Sequence, residues 1–396
     1  MSTTHAHRGA IRALVATLAL LALLPVASAG AAKRQVPVGF MGVHADGPVV
    51  DPSVDLDAQV GAMAENGVET LRAAFHWSEM QPYASPADVP ADQKDRFART
   101  VDGVPTDFGL SDRVVAAASA HGIRVLPVVV RTPPWAAKDA FDGASPPTSP
   151  KTYARFMRGL VLRYGPNGDF ARERPGELTL PVRSWQVWNE PNALYYWSEQ
   201  PFAAGYVRLL KAAATAIRKA DPGAQVVLAG LVNQSWRHIA KIYKAGGRRF
   251  FDVAAIHPFT REPRNVVRIL RLVRDAMAAG GDRKKHMMIT ELTYASAEGK
   301  RVNRSFGIEV TEKEQAERLR EVFLLLAARR RELLLDRVFW LSWLRQDKSR
   351  DDVFDYSGLR SIGPDGAIRD KPALGAYRTV ARRLEGCAKT ATAGCR

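Results

Sequence analysis

Two glutamates stand where short apolar runs give out. In "SWQVWNEPN" (184–192) the alternating, Trp- and Val-rich segment reads as a buried strand that Pro191 ends, leaving Glu190 at its tip. In "HMMITEL" (286–292) a second apolar run delivers Glu291 to the same kind of position. One acid can protonate a leaving oxygen while another attacks or stabilises a cationic carbon, and a glycosidic bond needs both to be hydrolysed. Either glutamate alone reads as well as a salt-bridging or capping acid, so the pairing is what carries the signal. Other polar and aromatic residues fall at strand ends too: His44, Arg72, His76, Trp77, Arg131, Trp135, Asn189, Asn233, His257, Tyr294 and Trp343. Tryptophans there suit the apolar faces of sugar rings. His44, His76 and His257 have no metal-site spacing, so they are expected to bind substrate or pair with a carboxylate; neither metal nor cofactor is expected.

The elements that must position these residues can be counted. Strand candidates are 38–44, 69–77, 124–130, 184–190, 225–232, 253–259, 286–292 and 337–343, with amphipathic helical patterns such as "SDRVVAAASAHG" and "KEQAERLREVFLLLAARR" between them. Several helices stop at Gly, and Asp112 and Thr311 occupy apparent N-cap positions. Eight alternating units predict an α/β fold, a single-domain (β/α)8 TIM barrel over 36–386, whose catalytic groups sit at the C-terminal strand ends. A doubly wound sheet would need a Gly-rich phosphate loop after an early strand, and the chain has none. The Pro-rich stretches "QPYASPADVP" and "TPPWAAKDAFDGASPPTSP" follow strands two and three and should rim the active face.

With these residues in hand, the sequence resembles the clan A glycoside hydrolases. "WQVWNEPN" is similar to their strand-four acid/base segment and "MMITELTYA" to their strand-seven nucleophile segment. "TLRAAFHW", "TPPWA", "HPF" and "FWLSW" extend the likeness along the barrel, most closely toward family 39 and family-5-type secreted enzymes. The resemblance implies that Glu291 is a nucleophile and Glu190 the general acid, then base. It further implies that Asn189 holds a sugar hydroxyl, that Arg72 keeps Glu291 ionised, and that anomeric configuration is retained. A departure is Phe259, where many clan members carry a tyrosine bonded to the nucleophile; Tyr294 or His257 is left to take that role. Family 39 xylosidases also carry a β-sandwich after the barrel, for which this chain ends too soon. A non-catalytic carbohydrate-binding barrel and a transglycosylase using the same glutamates stay open beside the hydrolase. Endo and exo action are both open.

Residues 1–29 read as a secretory signal peptide: Arg8 and Arg12, an apolar run from Leu14 to Val26, then Ala27-Ser28-Ala29. The run is shorter than the roughly 20 residues that span a bilayer, so a secreted, extracellular protein is expected. The 396 residues carry a formal net charge of +16, and removing 1–29 takes away two arginines and no acid. Such a field attracts anionic cell-surface polymers non-specifically. The basic residues are spread along helix faces without a nucleic-acid motif, so the expected partner is a polysaccharide or oligosaccharide, with no nucleic acid, bound by a monomer. Only Arg131 and Arg345, near the expected rim, point to an acidic polysaccharide. Tyr195, Tyr196 and Trp197 form either a sugar platform or rim packing. Cys387 and Cys395, the only cysteines, can close the short tail 387–396 in an exported protein.

Overall fold

In the computed structural model, which describes residues 33–300, 302, 306–347 and 352–387, eight strands alternate with eight long helices. In chain order they are β1 (Met41–Ala45), α1 (Leu56–Glu65), β2 (Thr70–His76), α2 (Gly109–Ala120), β3 (Arg124–Val130), α3 (Pro150–Tyr164), β4 (Ser184–Val187) and α4 (Phe202–Ala220). There follow β5 (Gln225–Val227), α5 (Ser235–Lys244), β6 (Val253–His257), α6 (Pro263–Ala279), β7 (His286–Leu292), α7 (Glu312–Leu333), β8 (Leu335–Trp340) and α8 (Pro372–Glu385). Every strand pairs in parallel with the next, and β8 pairs with β1, so the sheet closes on itself. This is the (β/α)8 barrel that the alternation predicts.

Local chemistry explains where the helices begin and end. Pro150, Pro263 and Pro372 open α3, α6 and α8, where a missing N–H costs nothing. Thr311 caps α7 through a capping box with Glu314, as its position suggested. Asp112 does not cap anything: it lies inside α2, buried, and takes the Arg163 guanidinium and the Tyr164 hydroxyl (2.6 Å). An acid near the start of an apolar pattern looks like a cap until its partner, 51 residues away, is known.

The barrel interior is layered. Leu126, Val227, Val253, Ala255, Met288 and Phe339 form a separate buried apolar cluster, with the Phe339 ring lying where a Cβ on Gly42 would come within 2.6 Å of it. Toward the C-terminal strand ends the inward positions become polar: His44, Arg72, Gln186, His257 and Thr290 are all buried. The larger apolar cluster lies between the strands and the helix ring. The loop after β2 contains a two-strand hairpin (Thr100–Val101 with Val104–Pro105), and a three-strand sheet (Leu344–Arg345, Arg360–Ile362, Ile368–Asp370) follows β8. The sequence pattern gave no sign of either.

All described residues belong to one unit, Ala32–Arg396, and among them no helix is long and apolar enough to cross a membrane. The expected export segment 1–29 and Cys395 lie outside the described residues, whereas Cys387 is disulfide-bonded.

Arg163 is almost fully buried and is held by Asp112 and, at 3.2 Å, by Glu173. Truncating one partner of a buried pair leaves a desolvated charge behind. Asp112→Ala should therefore cost about 3 kcal/mol of stability, read as a lower urea midpoint at unchanged slope. A midpoint unchanged from wild type would show that Glu173 alone satisfies Arg163.

Candidate active site

Glu190 and Glu291 reach the barrel axis by two different backbone devices. On β4, Trp188 (φ +70°) and Glu190 (φ +39°) adopt left-handed conformations on either side of Asn189. Such conformations are strained for residues with a Cβ and persist where the surroundings enforce them. Trp188 N–H bonds Val129 O (3.0 Å) and Glu190 N–H bonds Gly230 O (3.1 Å), which pins the distorted turn. The Trp188 ring goes outward between Tyr153 and Trp197, while Asn189 and Glu190, neighbours in sequence, both turn toward the axis. On β7 the register against β8 steps from Ile289↔Val338 to Leu292↔Trp340, which gives β7 one extra residue. That bulge lets Thr290 and Glu291 both face inward.

Arg72, only 1% exposed, joins the two acids' surroundings. Its Nη1 donates to Glu291 Oε1 (2.7 Å), its Nη2 to Asn189 Oδ1 (2.8 Å) and its Nε to Gln186 Oε1 (2.8 Å). His44 Nε2 lies 3.4 Å from the same Nη1. His257 stands between the glutamates, with Nδ1 2.6 Å from Glu190 Oε1 and 3.5 Å from Glu291 Oε2. A Cβ on residue 230 would fall 2.0 Å from His257 Nε2, so only glycine leaves room for that ring.

The hydrogen-bond donors fix which nitrogen of His257 carries its proton. Arginine only donates, so Gln186 must turn its oxygen to Arg72 and its amide nitrogen to Leu228 O (3.3 Å) and Thr290 Oγ1 (3.5 Å). The buried Thr290 hydroxyl then accepts from Gln186 and donates to His257 Nε2 (2.9 Å). Among the described residues no other acceptor lies within hydrogen-bond reach of that hydroxyl proton. His257, neutral because burial lowers its pKa to about 4, therefore carries its proton on Nδ1, aimed at Glu190.

Burial raises the Glu190 pKa to about 7, opposed by the charge of Arg72. Glu291 is also raised by burial, with the like charge of Glu190 adding and His257 and Arg72 opposing. Where two adjacent carboxyls share a proton, the charge resides on the one that has the cation. That is Glu291, bonded to Arg72, so Glu190 is the protonated member. Glu190, His257 and Glu291 each offer an atom within 4.8 Å of the others, a donor set compact enough to hold one cation. Arg72 already neutralises Glu291, and the His257 proton already faces Glu190, so a metal there would have to displace both.

Six of the residues expected at the site are brought together: Glu190, Glu291, Asn189, Arg72, His44 and His257. His76 lies on the rim of the adjoining cleft of about 460 Å³, paired with Glu79 (2.8 Å). Four expected residues are elsewhere. Trp77 is buried against Tyr153 and Phe156 and donates to Gln81; Trp135 packs edge-on against Trp77. Tyr294 is buried beside Arg318 and Trp340, and Trp343 donates to Gln59 of α1. Trp77 is one residue out of phase with the inward Arg72 and His76 of β2, a period-2 signal present in the sequence. Of the aromatic run after Glu190, Tyr195 and Tyr196 line the cleft, while Trp197 is packing. Phe259 lies against Phe354; of the two residues left to stand beside Glu291, His257 comes within 3.5 Å of its Oε2, with its Nδ1 proton turned to Glu190. Sequence reasoning missed Gln186, four residues before Glu190, and Thr290, the residue before Glu291.

No protein-family model matches the chain, and no curated protein sequence matches it. Solved structures do. A family 39 glycoside hydrolase from Bacteroides cellulosilyticus matches at 17% identity and TM-score 0.59, over 89% of this chain and 64% of that one. A glucosidase from Croceicoccus marinus matches at 14% and 0.61 (89% and 69%), and a monomeric β-xylosidase from Caulobacter crescentus at 20% and 0.57 (88% and 69%). The chain has the fold of these glycoside hydrolases. It spans about two thirds of their length.

The raised pKa of Glu190 has a measurable sign. Between pH 4.5 and 7 the folded protein holds a proton on Glu190 that the unfolded chain has released, so this group's contribution to stability falls as pH rises through that window. Buried His44 (lowered to about 3) and His257 (to about 4) act oppositely from those values up to 6.5, across much of the same window, so the comparison must be with Glu190→Gln. The variant should gain stability over wild type as pH goes from 4.5 to 8, by about 2–3 kcal/mol, in paired urea melts. A difference independent of pH would place the Glu190 pKa near its ordinary value.

Proposed function

We propose that this chain is a secreted, retaining glycoside hydrolase acting on a polysaccharide or oligosaccharide by double displacement. The observation that carries the reading is the unequal pair: two carboxylates with oxygens within 4.8 Å, one ion-paired to Arg72 and the other protonated near pH 7. Oxygens that close support the short separation of retaining enzymes, about 5–5.5 Å between carboxyl groups, over the roughly 6.5–9.5 Å of inverting ones.

In the first step the Glu291 carboxylate attacks the anomeric carbon as the Glu190 proton passes to the departing glycosidic oxygen, leaving a glycosyl ester on Glu291. Glu190, now a carboxylate, takes a proton from water; that water attacks the same carbon, and Glu291 is released. His257 Nδ1–H serves Glu190 through the cycle, because it can donate to the carboxylate once the acid's proton has gone. Asn189, oriented by Arg72, is placed to hold a sugar hydroxyl beside Glu291. No step needs a metal, and activity is expected to survive dialysis against a chelator. The export segment at 1–29 supports delivery outside the cell, where such polymers are met.

The test is product release from a panel of aryl glycosides and of neutral and acidic polysaccharides. Glu291→Gln should abolish turnover, and Glu190→Gln should lower kcat by roughly 10²–10⁴ on substrates with poor leaving groups. Proton NMR of the first product, taken before mutarotation, should show the anomer of the substrate. The opposite anomer would refute double displacement, and full activity in Glu291→Gln would refute the assignment of the pair.

A further inference from the structure

Arg131 at the C-terminal end of β3 is the cleft's unmatched charge. The cleft is lined by three arginines. Arg72 is paired with Glu291 and Arg96 with Asp107 (2.6 Å), while Arg345, just outside, is committed to Asp46 (2.6 Å). Arg131 has no ion-pair partner among the described residues. Asp142, whose carboxylate feels its charge, is exposed and is already bonded by Ser198 and the Ala144 N–H.

Its guanidinium is nonetheless held in place. Nη1 donates to Gly143 O (3.0 Å) and Tyr195 O (3.1 Å), and the guanidinium carbon lies 4.6 Å and 4.8 Å from the ring centroids of Tyr195 and Tyr196. A clamp between two loops needs only Nη1. Nε and Nη2 are left over as a two-donor edge on a rigid, aromatic-backed cation, the geometry that a carboxylate fits. The residue also has φ +70°, a strain of the kind that collects at functional positions. Tyr196 sets the distance to the chemistry. Its half-buried phenol is raised by burial, then by Glu291 and Glu190, and opposed by Arg131 and Arg72, so one ring lies within reach of all four groups.

Resting on the glycosidase reading, we infer that Arg131 forms a subsite for a carboxylate-bearing sugar next to the bond that is cleaved, making the substrate an acidic glycan. The net charge of +16 gathers polyanions without selecting among them, and Arg131 supplies the selection at the cleft.

The experiment compares a uronate-containing polysaccharide with the same polymer after carboxyl reduction. Wild type should show kcat/KM roughly 10- to 100-fold higher on the acidic form, the size of a charge-assisted hydrogen bond. Arg131→Gln should collapse that ratio toward one, Arg131→Lys should keep part of it, and Arg155→Gln, which removes the same charge from the exposed face of α3, should keep all of it. A wild-type ratio near one, or equal losses on both polymers in Arg131→Gln, would overturn the inference and leave Arg131 a loop clamp. If neither polymer is cut, the glycosidase reading fails separately. Binding of the two polymers to Glu291→Gln, with and without Arg131→Gln, then decides the subsite by the same ratio.

Discussion

One buried guanidinium organises this molecule. Arg72 reaches from β2 across the barrel to Gln186 and Asn189 of the β4 end and to Glu291 of β7, with His44 of β1 against it. A cation that far from water is tolerable only if its donors are satisfied, and it is the acids and amides of the site that satisfy them. Site and scaffold are therefore interdependent: Glu291 neutralises Arg72, and Arg72 determines which of two neighbouring carboxyls carries the charge. The same fork orients Gln186, and through Thr290 that orientation reaches the proton on His257.

The polar layer is affordable because the rest of the interior is not polar. Phe339, Leu126 and Met288 fill the barrel beneath it, and the strand–helix interface supplies most of the apolar burial. Four of the seven non-glycine residues with positive φ among the described residues, Arg131, Trp188, Glu190 and Asn233, lie on the loops that follow β3, β4 and β5. Regular strands would alternate their side chains and bring only every second residue to the axis. The left-handed turns of β4 and the bulge of β7 each break that alternation, placing two consecutive residues on one face.

Charge acts on two scales. The arginine excess lies mostly along exposed helix faces, often beside acids, as in Arg271–Glu332 and Arg218–Asp252, and such exposed pairs contribute little to stability. Around Arg72 each charge has a partner, and burial rather than number decides its effect. Burial moves Glu190 to about 7 and holds His257 and His44 neutral, so a strongly basic chain carries a site whose working groups are a carboxylic acid, a carboxylate and two uncharged imidazoles.

The sequence by itself determined the eight strands, their alternation with helices, and the two glutamates with Arg72, Asn189, His44 and His257, because each is announced locally by an apolar run and what ends it. Strand phase, also local, separates Trp77 from the inward Arg72 and His76. What only the tertiary structure decided depends on partners distant in sequence. Asp112 is a buried counter-ion instead of a cap because Arg163 lies on the next helix. Trp343 and Trp135 are packing because α1 and the Gln81 turn receive them. Gln186 and Thr290 matter because Arg72 and His257 stand 114 and 33 residues away from them. Hydrogen-bond direction and the cost of burying a charge are properties of a closed three-dimensional neighbourhood, and no stretch of sequence contains one.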